Sequence, residues 1–210
     1  GQSLPPGDYI VRVPPEETAE VALLYQAPGA GEVTGRFTLG GGSPFLAETL
    51  FQVSPLYEAS YGEALPGATG TVGLWWASSG WKISRARPMP EAEGAALRIQ
   101  AARNETEAAQ LVVRPAAALQ GLTAHCDGLA GPDGAVIPAE AVEVLRVRYV
   151  DVAIPTDEVG AVAPWPDPLP PFDAPVDVPA DTNQPLWVRV HVPEDAPAGV
   201  YRGQVALAAD

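Results

Sequence analysis

The 210-residue chain contains one cysteine, two histidines and one methionine. A single thiol closes no internal disulfide, and it supplies neither a disulfide framework nor a paired C-x-x-C zinc site. Cys126 is therefore read as a small core residue rather than a nucleophile. No G-x-S-x-G turn accompanies the histidines, which removes the usual setting of a Ser/His/Asp nucleophile. His125 and His191 are read as surface or strand-face residues. Basic residues are scarce as well: Lys and Arg number 12 against 26 Asp and Glu, for a net charge of −14. A surface this acidic is repelled by phosphate backbones and anionic lipid, which argues against nucleic-acid and membrane partners. No apolar run approaches the roughly 18 residues of a membrane helix. Asp151, Asp157, Asp167, Asp173, Asp177 and Asp181 lack the D-x-[DN]-x-[DN]-G spacing of a calcium loop. They are read as solvated loop carboxylates, and neither a metal nor a cofactor is expected.

Proline and glycine are abundant, at 24 and 21 residues, while 47% of the chain is hydrophobic. That share of Pro and Gly stays below the roughly 25–30% of disordered chains. Both residues break helices, so a turn-rich all-β protein with a real core is expected. Residues 1–62 hold four alternating runs, Tyr9–Val13, Glu20–Tyr25, Glu32–Leu39 and Leu46–Val53, separated by PPEET, APGAG and GGGSP. Short alternating runs between turn sequences read as a small antiparallel β unit. Residues 63–71 read as a linker. From residue 72 onward the strand candidates are Val72–Ala77, Ala95–Ala101, Ala108–Pro115, Leu122–Cys126 and Val142–Val152. Asn104-Glu105-Thr106-Glu107 reads as a turn entering a strand. The end of the chain, NQPLWVRVHVPEDAPAGVYRGQVALAAD, reads as a β-hairpin. Leu186, Val188, Val190 and Val192 alternate with Trp187, Arg189 and His191, the period-two pattern of a half-buried strand. Pro193 ends that run, and Val200–Leu207 forms the second arm, with Tyr201, Val205 and Leu207 on one face. The fold class is thus all-β: an antiparallel β-sandwich over about residues 72–210, preceded by the small β unit.

Several segments together carry a resemblance. They are LWWASSGWKISRARPMP (74–90), AARNETEAAQLVVRP (101–115), IPTDEVG and WPDPLPP (154–160 and 165–171), and NQPLWVRVHVPEDAPAGVYRGQV (183–205). In this order and spacing the chain resembles, over about residues 72–207, the N-terminal β-sandwich of glycoside hydrolase family 123-like proteins. Residues 1–62 carry no resemblance that assigns them to a family. The resemblance implies that another strand and a (β/α)8 barrel follow the final hairpin, with β-N-acetylgalactosaminidase-like action. There the substrate's own acetamido group is the nucleophile beside an Asp-Glu pair of the barrel. No such barrel lies in this chain, so no catalytic residue is assigned and the chain alone is expected to be inactive. The chain begins with Gly rather than Met, which is read as processing or excision, and its end is read as falling before the last strand. A strand edge left open invites self-association. Secretion is implied by the resemblance.

The remaining candidates are aromatic and acidic. Trp75, Trp76 and Trp81 cluster near one strand, where an exposed indole would stack on a sugar ring. Adjacent Trp75 and Trp76 point to opposite faces, so at least one belongs to the core or a domain interface. Trp165, between Pro164 and Pro166, lies in the long Pro- and Asp-rich segment 154–182. Loops of this length usually carry function or contacts. Trp165, Asp157 and Asp167 are the candidates for a ligand or for the barrel interface, and the resemblance favours the interface. Three functions remain open: an accessory module bracing a barrel and aiding glycan recognition, a free-standing carbohydrate-binding or adhesion module, and a structural surface protein.

Overall fold

A computed structural model describes residues 7–13, 18–27, 31–40, 47–66, 70–157 and 160–210, with side chains described from residue 54 onward. It divides into two compact units, one of residues Gly1–Glu58 and Val152–Ala163, the other of Ala59–Asp151 and Pro164–Asp210. Among the described residues there is no α-helix, only single 3-10 turns at Pro55–Tyr57, Pro132–Gly134 and Ala139–Ala141. None of them is long or apolar enough to cross a membrane.

In the first unit, β1 (Gly7–Val13) pairs antiparallel with β4 (Ala47–Val53), Gly7 opposite Val53. Strand β2 (Thr18–Ala27) pairs with β3 (Gly31–Gly40), Thr18 opposite Gly40 and Ala27 opposite Gly31. The four alternating runs are therefore the four strands. The turn sequences between them fall largely outside the described residues.

The second unit is a two-sheet sandwich. One sheet has five strands, ordered β11 (Val142–Arg146), β15 (Gln184–His191), β7 (Thr106–Pro115), β6 (Val72–Ser78) and β5 (Glu63–Ala64). The other has three, ordered β14 (Val176–Val178), β8 (Leu119–Cys126) and β16 (Val205–Ala208). Small two-stranded sheets join β9 (Leu129–Ala130) to β10 (Val136–Ile137) and β12 (Tyr149–Val152) to β13 (Ala163–Pro166). Leu111, Val113, Leu186, Val188 and Val190 of the larger sheet meet Leu122, Cys126, Val176 and Val178 of the smaller in one core. Cys126 is thus core. Tyr201, Val205 and Leu207 pack against the same cluster.

Strand β7 is central and has no solvent face. Leu111 and Val113 face the sandwich, while Val112 and Gln110 lie on the other side with Trp75 and Ala77. That second face is covered by the segment after β6, whose Ile83 is fully buried.

Five readings of the sequence are corrected. The closing segment is not a hairpin, since β15 lies between β11 and β7 while β16 pairs with β8, Val205 opposite Cys126. A connection of this length, anchored near its end by Arg202 opposite Ala130, carries the chain from one sheet to the other. Residues 95–101 form no strand. Leu97 and Ile99 alternate inward onto the core, but no strand is paired there, so the alternation records burial without a ladder. The Val142–Val152 run is two strands, broken at residues 147–148. Within 63–71, Glu63–Ala64 is the edge strand β5, and within 154–182 Ala163–Pro166, which carries Trp165, is strand β13 and Val176–Val178 is edge strand β14. Asn104 takes a left-handed φ of 56° just before β7, as a turn entering a strand requires.

Candidate functional site

Three segments of the second unit, residues 81–87, 145–149 and 164–171, meet at one surface. Residues 145–149 lie beside 167–171 through Arg146 N–H to Pro170, Arg148 N–H to Pro168 and Asp167 N–H to Arg148. Segment 81–87 is pinned from beneath by two buried amides. Gln110 Nε2 donates to the carbonyls of Ser78 and Trp81 at 3.1 and 2.8 Å. Asn183, with no exposed surface, donates from Nδ2 to Ser84 and Arg87 at 2.9 and 2.7 Å. Its Oδ1 accepts from Trp75 Nε1 at 3.3 Å. An irregular segment has no sheet partner for its carbonyls, and these amides satisfy them instead.

An aromatic stack grows outward from this base. Trp75 is 0% exposed and belongs to the core. Gly62, at φ +89°, makes room for its ring, because a Cβ there would come within 2.9 Å of the indole. The Arg87 guanidinium carbon sits 4.4 Å from the Trp75 ring centre and 3.9 Å from that of Tyr61. Arg87 also donates to the carbonyls of Ala59 and Tyr61. Trp81 stacks on Tyr61 with centroids 4.2 Å apart and planes 3° from parallel. Two groups this close cannot share one ring face, so Tyr61 lies between Arg87 and Trp81. The outermost member, Trp81, is 40% exposed.

Beside the stack, Lys82 Nζ donates to Pro166 O and Asp167 Oδ1 at 3.2 and 3.3 Å. The Tyr61 and Tyr149 hydroxyls donate to the consecutive carbonyls of Lys82 and Ile83 at 3.2 and 2.9 Å. Arg85 lies over Tyr149, 5.0 Å from the ring centre. Burial holds the Arg146 guanidinium below its ordinary pKa, and the neighbouring charges of Arg148 and Arg85 lower it further. Burial pushes the Tyr149 phenol well up, with Arg85 opposing and Tyr61 adding. The Nε atoms of Arg85 and Arg146 are buried with no hydrogen-bond partner. None of Arg85, Arg146 and Arg148 forms an ion pair with a described carboxylate.

The candidates read from the sequence are distributed as follows. Asp167 is exposed and holds Lys82, and Trp165 is half-buried on β13, two residues away. Trp76 points to the sandwich side near the sheet edge, where its Nε1 donates to Glu63 at 3.1 Å. Asp157 belongs to the first unit, is exposed, and accepts at its carbonyl from Gly160 N–H at 3.4 Å. His125 contacts Asp127 at 2.7 Å, and His191 contacts Thr106 at 3.0 Å, both exposed. Among the described residues, no group of three or more His, Cys, Asp or Glu lies close enough to hold a metal ion. A separate cleft of about 280 Å³ is lined by Gly73, Met89, Arg114 and Asp181. Tyr61, Tyr149, Asn183 and the arginines escaped the sequence reading. The available signal was a repeated Arg-x-Arg, at 85–87 and 146–148, in a chain with few cations. The spacing does not fix a common direction: residues 85–86 form a turn, with Arg85 over Tyr149 and Arg87 buried against Tyr61 and Trp75.

The chain is thus an all-β protein built around an antiparallel sandwich. Over residues 76–209 it matches the family described as the glycoside hydrolase 123 N-terminal domain, and it belongs to that family. Among solved structures it is similar to a family 123 glycoside hydrolase from Clostridium perfringens, described for glycolipid glycan hydrolysis. That similarity has 14% identity and a TM-score of 0.43, over 51% of this chain and 19% of the other. No curated protein matches the chain.

Proposed function

We propose that the chain is a non-catalytic accessory module of a secreted glycoside hydrolase-like protein. It braces a (β/α)8 catalytic barrel of the same polypeptide and contributes to glycan recognition. The observation that carries this reading is the family membership over residues 76–209, which is that of an N-terminal domain. The barrel would supply the hydrolysis, of the β-N-acetylgalactosaminidase kind, and Trp165, Asp157 and Asp167 are the proposed contacts to it. Bracing predicts coupled unfolding. In the intact polypeptide, calorimetry should give one transition for sandwich and barrel. Trp165→Ala should lower it by several degrees, since each kcal/mol is worth about 2–4 °C in a domain of this size. Turnover of a small aryl glycoside well below the transition should stay unchanged. Two independent transitions, with the barrel's unmoved by Trp165→Ala, would overturn the bracing role.

A second reading, a free-standing carbohydrate-binding module, is favoured by one observation. Trp81 offers an exposed indole backed by Tyr61. A ring held flat by stacking loses little freedom when a ligand covers its other face.

A further inference from the structure

Cationic side chains collect beside Trp81 in a protein of net negative charge. Five of the chain's 12 cationic side chains, Lys82, Arg85, Arg87, Arg146 and Arg148, gather in two short segments of a protein whose net charge is −14. Asp167 neutralises Lys82. Among the described residues, none of Arg85, Arg146 and Arg148 has a carboxylate as an ion-pair partner. Holding like charges together costs free energy unless an anion joins them. In two of the three, Arg85 and Arg146, the Nε atom is out of water with no hydrogen-bond partner among the described residues, so part of each guanidinium is already desolvated.

We propose that this surface binds an acidic pyranoside, with the sugar ring on the outer face of Trp81 and its carboxylate among Arg85, Arg146 and Arg148. Both halves belong to one patch. Trp81 and Arg85 are four residues apart, at most about 14 Å along an extended chain. The Tyr61 and Tyr149 hydroxyls fix the intervening carbonyls of Lys82 and Ile83. A short oligosaccharide bridges that span. The aromatic end selects a sugar, because a flat indole face suits the apolar face of a pyranose and takes no charge. The arginine end selects an acid, because guanidinium groups hold planar carboxylates through paired donors in a fixed fork. A neutral sugar would leave the clustered guanidinium charges uncompensated, and a free inorganic anion would leave Trp81 uncovered. The proposal rests on the glycan-recognition part of the reading above and not on the bracing part.

The test is an NMR titration of the 210-residue chain with sialyllactose, lactose and sulfated lactose. Sialyllactose should bind saturably and lactose should not. Trp81→Ala should abolish binding. Arg148→Gln, at an exposed position that leaves the fold intact, should weaken it by about tenfold, the loss of one charge-assisted hydrogen bond. Several results would overturn the proposal: no binding of sialyllactose, equal binding of lactose, or undiminished binding by Arg148→Gln. Sulfated lactose bound as tightly as sialyllactose would overturn the carboxylate assignment. Self-association of the free chain that Arg148→Gln abolishes would assign the patch to a second copy instead. None of these outcomes alters whether sandwich and barrel unfold together, so failure here is distinguishable from failure of the bracing role.

Discussion

Asn183 is one of the two buried amides, with Gln110, that hold the covering segment. Its amide meets two carbonyls of that segment and the indole of Trp75, all out of water. Asn183→Leu leaves those carbonyls unpaired, and the cost is about 3 kcal/mol, read as a lowered denaturation midpoint with an unchanged m-value. The tryptophans should separate in the same assay. Trp75→Ala empties a core position and costs about 3–5 kcal/mol. Trp81→Ala removes one ring from a half-exposed stack and costs about 1 kcal/mol. Equal losses would mean that Trp81 is core as well. Tyr149 carries the pH dependence. Its folded-state pKa is raised, chiefly by burial, so the folded chain keeps the phenolic proton after the unfolded chain has lost it. That contribution is whole below the ordinary tyrosine value of about 10. Above it, stability falls by about 1.4 kcal/mol per pH unit. Tyr149→Phe loses the bond to Ile83 but should flatten the alkaline limb of a stability–pH curve. An equally steep limb in the variant would place the titration elsewhere.

At the scale of elements, legibility followed burial. Strands β1 to β4, β6, β7 and β15 were readable because each alternates or runs continuously apolar between turn residues. Leu186, Val188 and Val190 face the core as their spacing requires. Pairing was not readable. Nothing local in residues 193–204 says whether the chain doubles back beside β15 or crosses to β8, because that choice is made by the face already waiting on the smaller sheet. The three-residue edge strand Val176–Val178 was too short to carry a period. Of the site, the tryptophans were visible as residue types, but their fates depended on partners distant in sequence: Asn183 for Trp75, Tyr61 for Trp81. The crossover can be tested at Gly203. A Cβ there would lie 2.5 Å from the Gly128 carbonyl oxygen and 2.5 Å from a Leu129 methyl. Backbone cannot yield as a side-chain tip can, so Gly203→Ala should cost about 1–3 kcal/mol. A neutral substitution would show that the segment passes β9 with slack.

For the whole molecule the deciding quantities are the open sheet edge and the net charge, and they act against each other. Among the described residues, strand β16 has β8 on one side and no other strand of its sheet on the other. An unpaired row of N–H and C=O groups templates a second copy. A charge of −14 repels that copy at long range. Salt changes the balance, because the Debye length falls from roughly 30 Å at 0.01 M to 3 Å at 1 M. Edge pairing is held by backbone hydrogen bonds and survives screening. Sedimentation velocity of the free chain should therefore show more dimer as salt rises, and Ala206→Lys on the exposed side of β16 should suppress it. Binding of an acidic sugar to the arginines should move the other way and weaken with salt. A monomer at every salt concentration would mean that β16 is too short, at four residues, to template a partner. Dimer that dissolves on adding salt would locate the contact on charged side chains instead of the strand edge.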